Sequence, residues 1–100
     1  MPKLTVDVPH NLGQEEASRR LKDKMGSVRE MFGDQVNDLQ EEWRDDQLWF
    51  SFRVVGMSVS GVVAVEPTRV TVDADLPLAA AMFRGTIEQR VRDEIAGVLA

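Results

Sequence analysis

One hundred residues, 43% hydrophobic and 29% charged, set the size of one domain with a single core (residues 1–100) and exclude a disordered chain. A formal net charge of −5 argues against a nucleic-acid partner, because phosphate binding needs a concentrated basic face, and zero cysteines exclude disulfides, thiolate metal sites and thiol nucleophiles. No apolar run approaches the ~20 residues that span a bilayer, and the start MPKLTVDVPH lacks the apolar segment of a secretory leader, so a cytoplasmic protein is the expectation.

Leu4, Val6 and Val8 alternate with Thr5, Asp7 and Pro9, the period of a strand with one buried face, and Pro9 ends it. Asn11 is a good helix N-cap with Gln14 three residues on, and Glu15 and Glu16 suit the positive end of the helix dipole. Ala17, Leu21, Met25, Val28, Met31 and Phe32 then form one apolar stripe, opposite Arg19, Arg20, Lys22, Asp23 and Lys24, until Gly33 stops the helix. Gly26 inside this helix points to a close contact with a sheet.

Asp34 to Asp46 carries six carboxylates (Asp34, Asp38, Glu41, Glu42, Asp45, Asp46) against Arg44 alone, a local balance equal to that of the whole chain. Leu39, Glu41 and Trp43 share strand parity, which predicts a charged edge strand, and Asp45-Asp46 predicts a hairpin turn. Next, Leu48, Phe50, Phe52 and Val54 face one way while Gln47, Trp49, Ser51 and Arg53 face the other. After Gly56, Met57, Val59, Val63 and Val65 oppose Ser58, Ser60, Val62 and Ala64, and Gly61 marks a bulge or a close backbone approach. Pro67-Thr68 turns the chain into a strand of Val70, Val72, Ala74 and Leu76 alternating with polar residues. Pro77 fits the first turn of a helix whose stripe runs from Met82 or Phe83 through Ile87, Val91 and Ile95 to Leu99, with Glu88–Arg92 as an exposed ion pair. The order predicts a two-layer α+β domain, β-α-β-β-β-β-α, with a mainly antiparallel sheet and both helices on its Phe50/Phe52/Val63/Val72 face.

Pro9-His10-Asn11-Leu12, the stretch from Ala17 to Leu21, Trp43-Arg44-Asp45-Asp46-Gln47-Leu48-Trp49-Phe50 and Gly61 together resemble the polyhydroxyalkanoic acid system family. These are small bacterial proteins named for genes near those of polyhydroxyalkanoate granules. Their pattern is a histidine before a helix with an alanine and a basic residue, then a tryptophan, a short acidic turn, a Leu-x-Phe strand, a glycine-bearing strand and a C-terminal helix. The resemblance implies an accessory role in polyester storage or at the granule surface, with no established activity. The element order also resembles a shortened helix-grip domain, a layout shared by many lipid-binding proteins; that is a likeness of fold alone.

Candidate sites are few. His10, the sole histidine, is either a proton carrier or ligand at the strand-to-helix corner or a ring that packs and hydrogen-bonds there. The acidic stretch has the oxygen ligands of a Ca²⁺ site without the loop spacing of one, and otherwise reads as a solvated edge strand; no metal site and no cofactor are expected. Ser58 and Ser60 have no nucleophile motif around them and read as the polar side of a strand, and Arg19-Arg20 as a solvated helix face. The outer sheet face is the anomaly: Trp49, Val62 and Ala64, with Val55 beside them, have the parity that two helices on one side leave uncovered, bordered by Ser51, Arg53, Ser60 and Thr71.

Three functions follow. A non-enzymatic accessory protein would contact a granule or a protein partner through Trp49, Arg53, Val62 and Ala64. A homodimer would stack the same faces. A small apolar-ligand binder, for a lipid or hydroxyacyl group, would hold a cavity lined by Met25, Phe50, Phe52, Met82 and Phe83. An enzyme ranks last, with one histidine, no cysteine and no tyrosine.

Overall fold

Alternation decides the sheet. In β1 (Lys3–Pro9) Leu4, Val6 and Val8 are buried and the residues between them exposed, because a strand covered on one side turns every second side chain into the core. The computed structural model describes residues 2–32, 37–54 and 56–100. Gly33, Asp34 and Val55, assigned above to the helix stop, the acidic stretch and the outer patch, lie outside the described residues, as do the side chains of Val28, Met31 and Phe32.

The remaining elements are α1 (Gln14–Phe32), β2 (Asn37–Arg44), β3 (Gln47–Val54), β4 (Met57–Val65), β5 (Arg69–Asp75), a 3₁₀ segment over Leu78–Phe83 and α2 (Arg84–Leu99). The five strands form one sheet in the order β1-β5-β4-β3-β2, and every pairing is antiparallel. The expected α+β order is therefore the observed one. Register follows parity: Val6 faces Val72, Val72 faces Val63, and Val63 faces Leu48, which lays the apolar row across four strands.

Both helices cover that row. Ala17 and Leu21 of α1 and Ile95 and Leu99 of α2 are buried in one cluster with Leu4, Val6, Val8, Val65, Val70, Val72, Ala74 and Leu76. Arg20 is not on a solvated face as expected. It is half-buried and donates from Nη1 to the carbonyls of Val98 (3.3 Å) and Ala100 (2.9 Å), satisfying acceptors at the end of α2. Arg19 does stay on the outside, paired with Glu16 and Asp23. Glu88 pairs with Arg84 at 3.6 Å, one turn before it, whereas the expected partner was Arg92.

The glycines divide. At Gly61 an added Cβ would lie 2.5 Å from the Asp73 carbonyl oxygen and 2.8 Å from Ala74 Cα, so the backbone of β5 sits where a side chain would be. Of the two expectations there, close approach holds, and β4 pairs on both sides without a register shift. The bulge occurs instead in edge strand β2, between Asn37 and Gln40, where Asp38 has φ 53°. Gly26 is a correction: a Cβ there would meet nothing within 4 Å, so it marks no sheet contact.

Candidate functional site

His10 is built into a corner. Its backbone N–H donates to the Thr68 carbonyl at 2.8 Å, and its ring, 7% exposed, lies between the end of β1 and the β4–β5 turn. The Leu12 N–H donates to Nδ1 at 3.1 Å, so Nδ1 is the acceptor nitrogen and Nε2 carries the proton that it donates to the Glu66 carbonyl at 3.0 Å. Both ring nitrogens are engaged by backbone. The Leu12 bond also ties residues 10–12 into a tight bend, and this corrects the helix start: α1 begins at Gln14, with Ala17 N–H donating to the Gly13 carbonyl (3.1 Å), and Gly13 takes φ 82°. Asn11 is no cap. Gln14 does not close a capping box either; its Nε2 donates to the Val65 carbonyl at 2.9 Å.

The same corner contains two residues that sequence reasoning missed as a pair. Ser18, 5% exposed, donates to Asp46 Oδ1 at 3.0 Å, and Val65 N–H donates to the Asp46 carbonyl at 2.8 Å. Asp46 thus fastens the β2–β3 turn to both α1 and β4. The turn itself is the expected one, two residues with Asp45 at φ 55°. Two more carboxylates of the acidic stretch have separate partners: Glu42 pairs with Arg44 at 2.9 Å and Asp38 with Arg53 at 4.0 Å. Among the described residues no group of three or more histidines and carboxylates converges to hold a metal ion.

On the outer face the structure gives the register of the candidate residues. Trp49 stands directly across from Val62, and Gln47 across from Ala64, so Trp49, Val62 and Ala64 adjoin on β3 and β4. Trp49 is 42% exposed, and the Arg44 guanidinium lies over its ring at 5.1 Å from the centroid. The hydrogen bond from Arg44 holds the Glu42 carboxyl below its ordinary value, and the same bond raises Arg44. Arg53 has the same parity but sits four residues along β3, about 13 Å from Trp49. His10 is not brought to this face at all. Beyond Ala64 the face turns polar, with an open depression of about 680 Å³ bordered by Asp7, Asp46, Asp73, Glu66, Arg44 and Arg69. A smaller one lies between the helices at Lys24, Arg90 and Glu94. Neither is lined by Met25, Phe50, Phe52, Met82 or Phe83.

On the helix side of the sheet Phe50 and Phe52 stack at 6.2 Å between centroids, and Lys22 of α1 lies over the Trp43 ring at 4.9 Å. Met82 and Phe83, expected to begin the buried stripe of α2, instead face solvent from the 3₁₀ segment at 88% and 58% exposure, with Leu78 at 80%. The physical reason is local. Pro77 is extended (ψ 150°) and Phe83 departs from helical geometry (φ −104°, ψ 12°), so the chain changes direction twice before α2 starts, and the stripe begins only at Ile87. The available sequence signal was six consecutive residues with no polar side chain.

No helix among the described residues is long and apolar enough to cross a membrane. No curated protein and no solved structure matches the chain. Residues 4–99 match the polyhydroxyalkanoic acid system protein family, a span that takes in the His10 corner, the Trp43–Phe50 hairpin and Gly61. The chain belongs to the polyhydroxyalkanoic acid system protein family.

Proposed function

We propose that this chain is a non-enzymatic accessory protein of cytoplasmic polyhydroxyalkanoate storage that works by contact. Its outer sheet face around Trp49 meets a partner protein of the granule, and His10 is a lock at the start of α1. The single observation that carries this reading is the half-open Trp49 ring in register with Val62 on a face that neither helix covers. Tryptophan and arginine are both enriched among the residues that anchor protein interfaces, and the hydrogen-bonding groups around Trp49 (Gln47, Ser51, Ser60) suit a protein surface. The family context supports the setting, polyester storage. His10 supports the non-enzymatic part, since its ring nitrogens are both engaged by backbone groups.

The test is Trp49→Glu in cells that accumulate polyester granules. The wild-type chain is expected at granules and the variant spread through the cell, with the thermal midpoint of the purified variant unchanged. A folded variant that still localises to granules would overturn the reading. The same face in a homodimer predicts a dimer in sedimentation at micromolar concentration, and a monomer there leaves the face to another protein. The apolar-ligand reading has no observation in its favour, since two of the five residues assigned to its cavity point into solvent.

A further inference from the structure

We propose that Leu78–Phe83 is a ridge that inserts into the bare surface of an aliphatic polyester, an inference that rests on the accessory role in polyester storage proposed above. The segment reads Leu-Ala-Ala-Ala-Met-Phe, with no charged or hydrogen-bonding side chain. None of its residues is buried; Ala80 alone packs against the core, while Leu78, Met82 and Phe83 stand 80%, 88% and 58% exposed. It is not a loose loop. Pro77 fixes its start, and the Ala80 N–H donates to the Pro77 carbonyl at 2.9 Å, so a short rigid turn holds the three side chains outward.

Area and charge select the occupant. A stable second copy needs roughly 800 Å² per partner with a polar rim, far more than three side chains on a convex turn provide. Insertion into a lipid headgroup layer draws on lysines and arginines beside the apolar residues. Here the adjoining cation, Arg84, is paired with Glu88 at 3.6 Å, and the chain carries a formal net charge of −5. A neutral polyester surface needs neither shape complementarity nor a cation. It needs only apolar side chains presented together, which is what the ridge supplies.

The experiment sediments the purified chain with amorphous poly(3-hydroxybutyrate) particles free of lipid and protein. Phosphatidylcholine vesicles, with and without phosphatidylglycerol, are run in parallel. The wild-type chain is expected on the particles, and Leu78→Glu/Met82→Glu is expected to bind them at least about tenfold more weakly, from two apolar side chains no longer removed from water. Leu78→Gln/Met82→Gln, which keeps good helix formers and adds no charge, is expected to lose binding as well, so that a folding defect in the first variant cannot decide the result. Trp49→Glu is expected to bind these protein-free particles as the wild type does; on granules in cells, where proteins cover the polymer, recruitment still needs the outer face, and this separates the two surfaces. Full binding by the folded glutamine variant would overturn the proposal, as would vesicle binding as tight as particle binding. A wild-type dimer that both variants lose would also overturn it, by giving the ridge to a second copy. Loss of the ridge on these grounds, with Trp49-dependent recruitment in cells intact, leaves the proposed function standing.

Discussion

The β1–β5 ladder has two ends, and they are built on opposite principles. At one, where Pro9 pairs with Arg69, polar side chains are buried or half-buried and bound: His10 to Leu12 and Glu66, Gln14 to Val65, Ser18 to Asp46. At the other, where Lys3 pairs with Asp75 and Leu76 N–H donates to the Pro2 carbonyl at 2.9 Å, the chain runs into a segment with no polar side chain that faces water. Burying polar groups costs stability unless each finds a partner, and leaving large apolar groups in water forgoes about 1.5–3 kcal/mol apiece. The first end has met its cost internally. The second has not, and that contrast is why contact chemistry is proposed away from the histidine, the residue a search for catalysis would choose first.

Mutating the bound end should give the largest effect. His10→Ala leaves the half-buried Leu12 N–H and Glu66 carbonyl without their partner, at about 1–3 kcal/mol each, so an unfolding titration should show a loss of about 3 kcal/mol. An unchanged midpoint would mean that the ring is not a lock, and the contrast between the ends would fail. Ser18→Ala removes one such bond, and calorimetry should register a loss of about 1 kcal/mol.

The smallest expected effect concerns the outer face. Glu42 lies below its ordinary value of 4.5 because Arg44 donates to its carboxylate. A lowered carboxylate contributes above that ordinary value and loses its contribution as pH falls through the lowered one. Arg44, freed of Glu42, should then shift over Trp49. In a Trp43→Phe background, Trp49 fluorescence should change on the acid side of 4.5 and stay flat when Glu42→Gln is added. A change that persists in the glutamine variant would assign the signal to another carboxylate.

Much of this was legible in the sequence, for identifiable reasons. A strand covered on one side writes period 2 without ambiguity, so Leu48/Phe50/Phe52 and Val70/Val72/Ala74 set parity, and parity placed Trp49 beside Val62 and Ala64. Short connections, Asp45-Asp46 between β2 and β3 and Glu66 to Thr68 between β4 and β5, made neighbouring strands antiparallel partners. The corner was legible only as a list of residues. Its bonds span 56 residues from His10 to Glu66 and 28 from Ser18 to Asp46, and a local pattern does not encode such distances. Met82 and Phe83 were misread because they continue the spacing of the α2 stripe, while the turn from sheet to helix layer uses those residues to change direction.

As proposed, this chain works by surface contact at places other than its histidine corner. Hydroxyl-radical footprinting on isolated polyester granules checks this, because tryptophan, methionine and phenylalanine side chains report their own exposure. Trp49, Met82 and Phe83 are expected to become protected when granules are added, while His10, already buried, reacts the same with and without them. Unchanged reactivity at all three exposed residues, or a change confined to His10, would contradict it.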